Sequence, residues 1–306
     1  MAGGSMNPKE WTLLLLLALL WSGSFFLAEI MLRELDPFSV VLGRVGPAAI
    51  ALLLLAVLTG QRIPLDLGSW GLFMGMGLLN NAIPFGLIFW GQQSIDSGLA
   101  AILNATTPFF AVILAHLLTR DERITPNRIV GVLCGIAGVA VLVGPSALAG
   151  IGGETLGQLA VLGAALSYAL ASLFGRRLRR FPVTVAATGM VTCSAVMALP
   201  AALILGAPFE RLPGATTLAA MLGISLFSTA AAYMVYFRIL ATAGATNLML
   251  VTLLLPVGAM ALGIAFLGER FGWSDLGGLL LIMFGLAAVD GRLLARRSAP
   301  APQQRP

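Results

Sequence analysis

The stretch that decides the fold runs from Gly98 to Arg123 and reads GLAAILNATTPFFAVILAHLLTRDER. It is apolar for about twenty residues, the length of a helix that crosses a bilayer, and Pro108 interrupts its middle. A second stretch, Ala245 to Arg270, reads ATNLMLVTLLLPVGAMALGIAFLGER and carries Pro256 in its middle. Apolar segments that proline interrupts at matching places in two halves of a chain point to the binding site of a secondary transporter.

The composition indicates that lipid is the solvent of this chain. Of 306 residues, 58% are apolar and only 10% are charged, whereas a soluble domain carries roughly 25% charged residues. The mean hydropathy is +0.96. A sequence pI near 10.0 could indicate a nucleic-acid partner, but the basic residues lie in short loops between apolar segments. We therefore expect the lipid bilayer as a partner and no nucleic acid.

Ten apolar segments, numbered spans 1 to 10, each have nearly the length of a membrane-spanning helix. They lie at residues 11–31, 38–58, 69–90, 97–118, 127–144, 157–175, 183–205, 215–237, 244–267 and 274–294. Residues 1–5 precede a second methionine and are interpreted as a remnant of cloning. Residues 298–306 are polar and rich in proline, which predicts a disordered tail.

The distribution of basic residues predicts the orientation in the membrane. Fourteen of the 18 lysines and arginines fall on the face that holds both termini, three fall on the opposite face, and Arg44 lies within span 2. Basic loops stay in the cytoplasm. Both termini are therefore expected in the cytoplasm of a cell with the chain in its inner membrane, and the opposite face is called the outer face below.

The two halves, residues 6–150 and 151–297, read as copies of one another. An offset of 147 places Trp21 on Tyr168, and Glu122-Arg123 on Glu269-Arg270. Because each half has five spans, an odd number, the second copy enters the membrane upside down. The predicted fold is an all-α membrane protein of ten transmembrane helices, arranged as two inverted five-helix repeats around a central cavity.

Several motifs, in this order and spacing, cover essentially the whole chain: Trp21-Ser22-Gly23-Ser24-Phe25, Pro37 with Arg44, Pro108 with Asp121-Glu122-Arg123, Gly131, Gly135 and Gly138, the run Tyr233–Phe237, and Pro256 with Gly268-Glu269-Arg270. Through them the chain resembles the EamA-type, ten-span members of the drug/metabolite transporter superfamily. The resemblance implies a transporter whose central cavity is lined mainly by spans 1, 3, 4, 6, 8 and 9. Members of the superfamily move amino acids, sugars, nucleotides or drugs, and many bacterial ones resemble amino-acid exporters.

Polar and aromatic side chains near the middle of the spans are the candidate substrate-binding residues, with depth counted at about 1.5 Å per residue. They are Trp21, Asn80, Asn81, Asn104, Thr107, Tyr168, Ser228 and Thr252. Tryptophan normally prefers the membrane interface, so Trp21 either lines a wet cavity or is packed between helices. An unpaired amide is costly in lipid, so Asn80 and Asn81 either face a cavity or bond to a neighbouring helix.

Four further residues are assigned hinge or structural roles. Pro108 and Pro256 interrupt their helices, and Asn104 either binds substrate or bonds to backbone carbonyls that Pro108 frees. Arg44 lies about 9 Å into span 2. We interpret it as half of an ion pair with Glu29, or with Glu34 or Asp36; the alternative is a clamp for a substrate carboxylate.

The sequence lacks the motifs of several functional classes, which excludes those classes from the prediction. The sequence has no metal-ligand, nucleophile or nucleotide-binding motif, so no enzyme activity, cofactor or metal is expected. No carboxylate lies at mid-membrane, so no buried-acid proton site is expected. The prediction is a monomer or weak homodimer that exports amino acids, aromatic or other apolar ones among them, and related metabolites by alternating access. The alternative is a non-transporting or lipid-handling membrane subunit that associates through small-residue helix faces.

Overall fold

The computed structural model describes residues 6–119, 124–148, 152–206, 212–248 and 250–290. Within those ranges eight helices are long and apolar enough to cross a bilayer, and two shorter apolar helices, Val251–Leu267 and Trp273–Val289, follow them. These helices confirm the ten predicted spans. The stop of the first proline stretch at Glu122-Arg123 and both chain ends lie outside the described residues.

Most spans are single helices, and four of them are interrupted. Spans 1, 2, 5, 6, 7 and 10 comprise Pro8–Leu32, Pro37–Leu58, Pro126–Leu148, Gly153–Phe174, Val183–Leu205 and Trp273–Asp290. Span 3 comprises Leu67–Gly77, Leu78–Ala82 and Ile83–Gly91, and span 4 comprises Ser97–Asn104 and Thr107–Leu118. Span 8 comprises Ala215–Leu222, Gly223–Ala231 and Ala232–Thr242, and span 9 comprises Gly244–Leu248, Val251–Leu262 and Gly263–Leu267.

Side chains in the loops set where the first helices begin. Asn7 accepts a hydrogen bond from the Glu10 backbone while the Glu10 carboxylate accepts one from the Asn7 backbone, a capping box at span 1. Asp36 accepts hydrogen bonds from the backbone of Phe38 and Ser39 at span 2. Each cap satisfies N–H groups that the helix cannot pair internally, so it stabilises the turn at which the chain enters the membrane region.

The principal packing pairs are the same when each span is exchanged with the span five places later. Span 2 packs on span 7, span 4 on span 9, and span 5 on span 10. Span 1 packs on spans 8 and 9, as span 6 packs on spans 3 and 4. The two halves are thus interleaved, with spans 1, 8 and 9 packed together and spans 6, 3 and 4 packed together.

Wide π-helical turns interrupt spans 3 and 8 at equivalent places. In span 3 the wide turn is Leu78–Ala82, and in span 8 it is Gly223–Ala231. When 147 is added to its residue numbers, the wide turn of span 3 corresponds to residues 225–229, which lie inside the wide turn of span 8. Because π-helical turns leave side chains in unusual directions and are frequent at functional sites, these turns mark the part of each half that faces the centre.

The two prolines act differently on their helices. Span 4 breaks just before Pro108, and the hydroxyl groups of Thr106 and Thr107 donate to the carbonyls of Leu103 and Asn104 at 2.6 and 2.8 Å. Span 9 remains helical through Pro256, since Val251–Leu262 is one helix. There the hydroxyl of Ser22 in span 1 donates to the carbonyl of Leu255 at 2.8 Å, just before the proline. The expected break at Pro256 is therefore replaced by one upstream, between Leu248 and Val251.

Candidate functional site

Arg44 extends from span 2 into the space between spans 1, 3 and 8. Its Nε donates to the hydroxyl of Thr229 in span 8 at 3.2 Å, and its Nη1 donates to the hydroxyl of Ser24 in span 1 at 3.4 Å. The guanidinium carbon lies 3.8 Å from the ring centre of Phe85 in span 3. The side chain is only 7% exposed, so this cation is held inside the helix bundle.

The ion pair expected for Arg44 is not formed among the described residues. Glu29 accepts from the side-chain amide of Gln92 at 3.3 Å, Glu34 accepts from the backbone of Gly214 at 2.7 Å, and Asp36 caps its own helix. Depth along a helix does not specify the direction of a side chain, and these carboxylates have N–H donors close by. This finding corrects the structural interpretation of Arg44.

The neighbouring amides Asn80 and Asn81 share one partner, because the hydroxyl of Tyr233 accepts from Asn80 and donates to the side-chain oxygen of Asn81 at 3.3 Å. Asn80 donates to the hydroxyl of Tyr233 at 3.0 Å and is half-buried. Asn81 is fully buried and donates to the hydroxyl of Ser194 in span 7 at 2.9 Å. Asn81 therefore serves as a helix–helix contact, whereas Asn80 and Tyr233 present a polar pair beside the centre.

Aromatic side chains complete the central cluster. The guanidinium of Arg44 lies near enough to the hydroxyl groups of Tyr168 in span 6 and Tyr233 in span 8 to interact electrostatically with both. Trp21 precedes Ser24 by three residues and so shares its helix face, and its ring lies 5.7 Å from that of Tyr236. Residues from spans 1, 2, 3, 6 and 8 thus converge on one region.

The other predicted residues lie around this region with different exposures. Asn104, Thr107 and Thr252 are half-buried. The Oδ1 atom of Asn104 is buried with no hydrogen-bond partner among the described residues. Ser228 is buried in the π-helical turn of span 8, and it is its neighbour, Thr229, that contacts Arg44. Sequence reasoning missed Thr229 as well as Tyr233, because a π-helical turn shifts the helix face by part of a turn.

A second group of polar residues closes the outer ends of spans 4 and 9. A cleft of about 310 Å³ is lined by Glu29, Arg33, Asp96 and Leu267–Arg270. Within it the carboxylate of Glu269 accepts hydrogen bonds from the backbone and hydroxyl of Ser97 at 2.9 and 2.6 Å, and from the backbone of Gly98 at 3.1 Å. A negative charge is favourable at this position because it faces the positive end of the span 4 helix.

The titratable groups of this outer cleft influence one another. Asp96 lies just before span 4, and burial raises the pKa of its carboxyl, with further increases from the negative charges of Glu269, Asp275 and Glu154. Among the described residues no group of three His, Cys, Asp or Glu side chains is arranged to hold a metal ion. The cleft is thus a cluster of carboxylate and arginine side chains at the end of the helix bundle, and it does not include Arg44 or the tyrosines.

Several relatives, one of them named as an inner membrane transporter, align along nearly the whole chain. Inner membrane transporter YedA of Escherichia coli (strain K12) is 28% identical over 281 residues, which cover 89% of this chain and 88% of YedA. Protein PecM of Dickeya dadantii is 26% identical and covers 92% and 93%. The chloroplastic WAT1-related protein At3g02690 of Arabidopsis thaliana is 25% identical and covers 95% and 71%.

A protein of known crystal structure shares the fold, with a TM-score of 0.68 at 20% identity over 95% of this chain and 100% of the other. The model of the EamA-like transporter family matches twice, at residues 9–144 and 155–289. The family model thus matches once in each half of the chain, and the two matches confirm the resemblance given by the sequence motifs. This multi-pass membrane protein belongs to the EamA-like transporter family.

Proposed function

We propose that the protein moves small organic solutes across the inner membrane by alternating access, through the cluster formed by Arg44, Tyr168, Tyr233, Asn80 and Trp21. The observation that supports this proposal is the convergence of polar and aromatic side chains from five spans on one region inside the helix bundle. Ionisable and polar residues inside a membrane are costly, and they are retained mainly where a solute path needs them.

Inverted repeats around this cluster fit the packing of the helices. The principal helix pairs are unchanged when the halves are exchanged, and the family model matches once in each half. Equivalent positions in the two halves are five spans apart. Because five is an odd number, the same helix end lies at one membrane face in the first half and at the other face in the second half. Two copies of one unit related in this way can exchange conformations and open the site to each face in turn.

The outer ends of spans 4 and 9 supply a means of closing one face. Glu269 joins the end of span 9 to the start of span 4 through three hydrogen bonds. Hydrogen bonds to a charged group contribute about 1.5–3 kcal/mol each, so their loss alters the balance between two conformations. By the offset of 147, Glu122 is the counterpart of Glu269 in the first half of the sequence, and it lies outside the described residues.

Amino acids with aromatic or other apolar side chains are the proposed substrates, and export is the proposed direction. The rings of Trp21, Tyr168 and Tyr236 offer surfaces for an apolar side chain, since aromatic groups prefer stacked or edge-to-face neighbours. The hydroxyl and amide groups of Tyr233 and Asn80 offer hydrogen bonds to the polar end of the same solute. With both termini in the cytoplasm, as the basic residues predict, Glu269 closes the face away from the cytoplasm.

Counterflow in proteoliposomes tests the function directly. Vesicles loaded with one unlabelled amino acid should accumulate the labelled form only when they contain the protein. Trp21→Ala should reduce the rate about two- to tenfold, given the roughly 0.5–1.5 kcal/mol of a lost aromatic contact. Trp273→Ala is the matched control, because Trp273 is 89% exposed at the start of span 10. Absence of counterflow for a broad panel of amino acids and metabolites would exclude this function.

The alternative of a non-transporting subunit rested on small-residue helix faces. One of these, at Gly131 and Gly135, is filled within the chain: a Cβ atom on Gly131 would lie 2.6 Å from the carbonyl of Gly285 in span 10. The alternative predicts that cysteines at Thr107 and Ser228 never react with a water-soluble thiol reagent from either face. Reaction from both faces in turn supports the transporter.

A further inference from the structure

We propose that Arg44 binds the carboxylate of the transported solute, while the apolar part of that solute contacts the aromatic side chains beside it. The inference rests on the proposed function and adds the substrate class: small carboxylates with an apolar side chain. It follows from the charge balance, the geometry and the surroundings of one side chain.

Among the described residues no acidic side chain contacts Arg44 to compensate its charge. Its described contacts are the hydroxyls of Ser24 and Thr229 and the ring of Phe85, all of them neutral. In an interior with a low dielectric constant, attraction between opposite charges is much stronger than in water. A buried cation among neutral groups therefore favours an anion that enters its neighbourhood.

The geometry leaves part of the guanidinium available to such an anion. Nε donates to Thr229 and Nη1 donates to Ser24, whereas Nη2 has no partner among the described residues. The ring of Phe85 lies against the face of the group at 3.8 Å and fixes its plane. A planar guanidinium held in this way matches the two oxygens of a carboxylate, which it binds with two parallel hydrogen bonds.

The fold itself does not require a charge at this position. By the offset of 147, Val191 in span 7 is the counterpart of Arg44, and it is completely buried. Spans 2 and 7 are counterparts in the repeat, so the same position carries arginine in the first half and a buried valine in the second. The second half thus accommodates an apolar residue where the first half carries a cation.

The surroundings of Arg44 define the rest of the solute. The hydroxyl groups of Tyr168 and Tyr233 lie close to the guanidinium, and Trp21 lies one helical turn from Ser24 with its ring near Tyr236. These rings provide an apolar, half-buried surface next to a cation. Sugars lack the carboxylate and the apolar body, and cationic drugs would be repelled by the charge.

Pairs of ligands that differ only in the carboxylate test this assignment. The probes are phenylalanine against phenethylamine, tryptophan against tryptamine, and leucine against isoamylamine, with 3-phenylpropionate as a carboxylate without an amine. Binding to the purified full-length protein is measured by calorimetry. We expect at least one carboxylate to bind about 10- to 100-fold more tightly than its amine, the range given by a charge-assisted hydrogen bond.

Variants of Arg44 then assign the preference to this side chain. Arg44→Met should abolish the preference, and Arg44→Lys should retain part of it, since lysine keeps the charge but not the planar pair of donors. Arg62→Gln, in the exposed loop after span 2, is the control and should keep the full preference. Thermal unfolding of Arg44→Met without ligand should occur at the wild-type temperature or above, because an unpaired buried charge is removed.

Several results would overturn the inference. They are equal binding of amine and carboxylate in every pair, binding of none of the carboxylates, a preference that survives in Arg44→Met, and a lower unfolding temperature of that variant. Counterflow separates the two proposals. Transport of solutes without any carboxylate preference refutes the role of Arg44 alone, whereas a carboxylate preference in binding without any transport supports Arg44 and refutes the proposed function.

Discussion

The carboxylate of Glu269 lies 2.9 Å from the backbone nitrogen of Ser97 and thereby joins the end of span 9 to the beginning of span 4. These two spans also pack on each other along their length. The bond therefore forms at the outer end of a helix pair that borders the central cluster. Under alternating access, this contact has to break whenever the outer face opens.

Glu269→Gln should weaken closure of the outer face. The amide keeps some hydrogen bonding but loses the charge that faces the helix terminus, so the outward-open conformation gains population. A cysteine at Ala101, which is completely buried one turn into span 4, reports the change. In a background without Cys134 and Cys193, we expect a membrane-impermeant thiol reagent to label it several-fold faster from outside.

The control for this measurement is Glu10→Gln, which removes an acidic cap at the start of span 1. It should leave the labelling rate unchanged, because that cap lies at the opposite end of the bundle from Glu269. Equal labelling of Ala101→Cys with glutamate or glutamine at position 269 would mean that this contact does not control access.

Asp96→Asn should stabilise the protein in a pH-dependent manner. Burial and the nearby charge of Glu269 raise the pKa of Asp96, so folding favours its protonated form. That contribution is complete below the ordinary value of 3.8 and is lost as the pH rises through the raised pKa. The unfolding temperature of Asp96→Asn should therefore exceed that of wild type by an amount that grows as the pH rises above the ordinary pKa of 3.8.

Asp66 provides a comparison, because its pKa is shifted in the opposite direction to that of Asp96. Hydrogen bonds from Ser69 hold the pKa of Asp66 below its usual range, so its stabilising effect is present above the ordinary pKa and is lost as the pH falls. Asp66→Asn should be less stable than wild type near neutral pH, with the difference closing in acid. The same pH trend in both variants would show that these environments do not determine the titration.

Gly131→Ala should destabilise the contact between spans 5 and 10. The added Cβ would lie 2.5 Å from Val289 and 2.6 Å from the carbonyl of Gly285, so the helices must separate, at a cost of about 1–3 kcal/mol. Gly144→Ala, in the same span with nothing within 4 Å of the new atom, should be neutral or stabilising by about 0.5–1 kcal/mol. Unfolding temperatures in detergent measure both, and an unchanged Gly131→Ala would contradict the close packing.

Hydropathy and the internal offset were sufficient to predict the helices and the repeat. Membrane spans satisfy their backbone hydrogen bonds internally, so length and apolarity determine where they lie.

The partners of polar side chains could not be predicted in this way. Arg44 donates to the hydroxyls of Ser24 and Thr229 and not to Glu29. In span 8 the residue of the π-helical turn that contacts Arg44 is Thr229, whereas the sequence predicted its neighbour Ser228 as the functional residue. Such choices depend on the rotation of each helix about its axis. Uniformly apolar spans have no amphipathic pattern that records this rotation.

The two adjacent asparagines of span 3 should separate stability from transport. Asn81→Ala removes a completely buried hydrogen bond to Ser194 and should cost about 1–3 kcal/mol of stability, reduced in part because Ser194 also donates to the carbonyl of Met190. Asn80→Ala removes a half-buried group beside Tyr233 and should lower counterflow several-fold with little change in unfolding temperature. Parallel measurement of both quantities in both variants is the test. A transport defect that simply follows the loss of stability in each would indicate that Asn80, like Asn81, only holds the helices together.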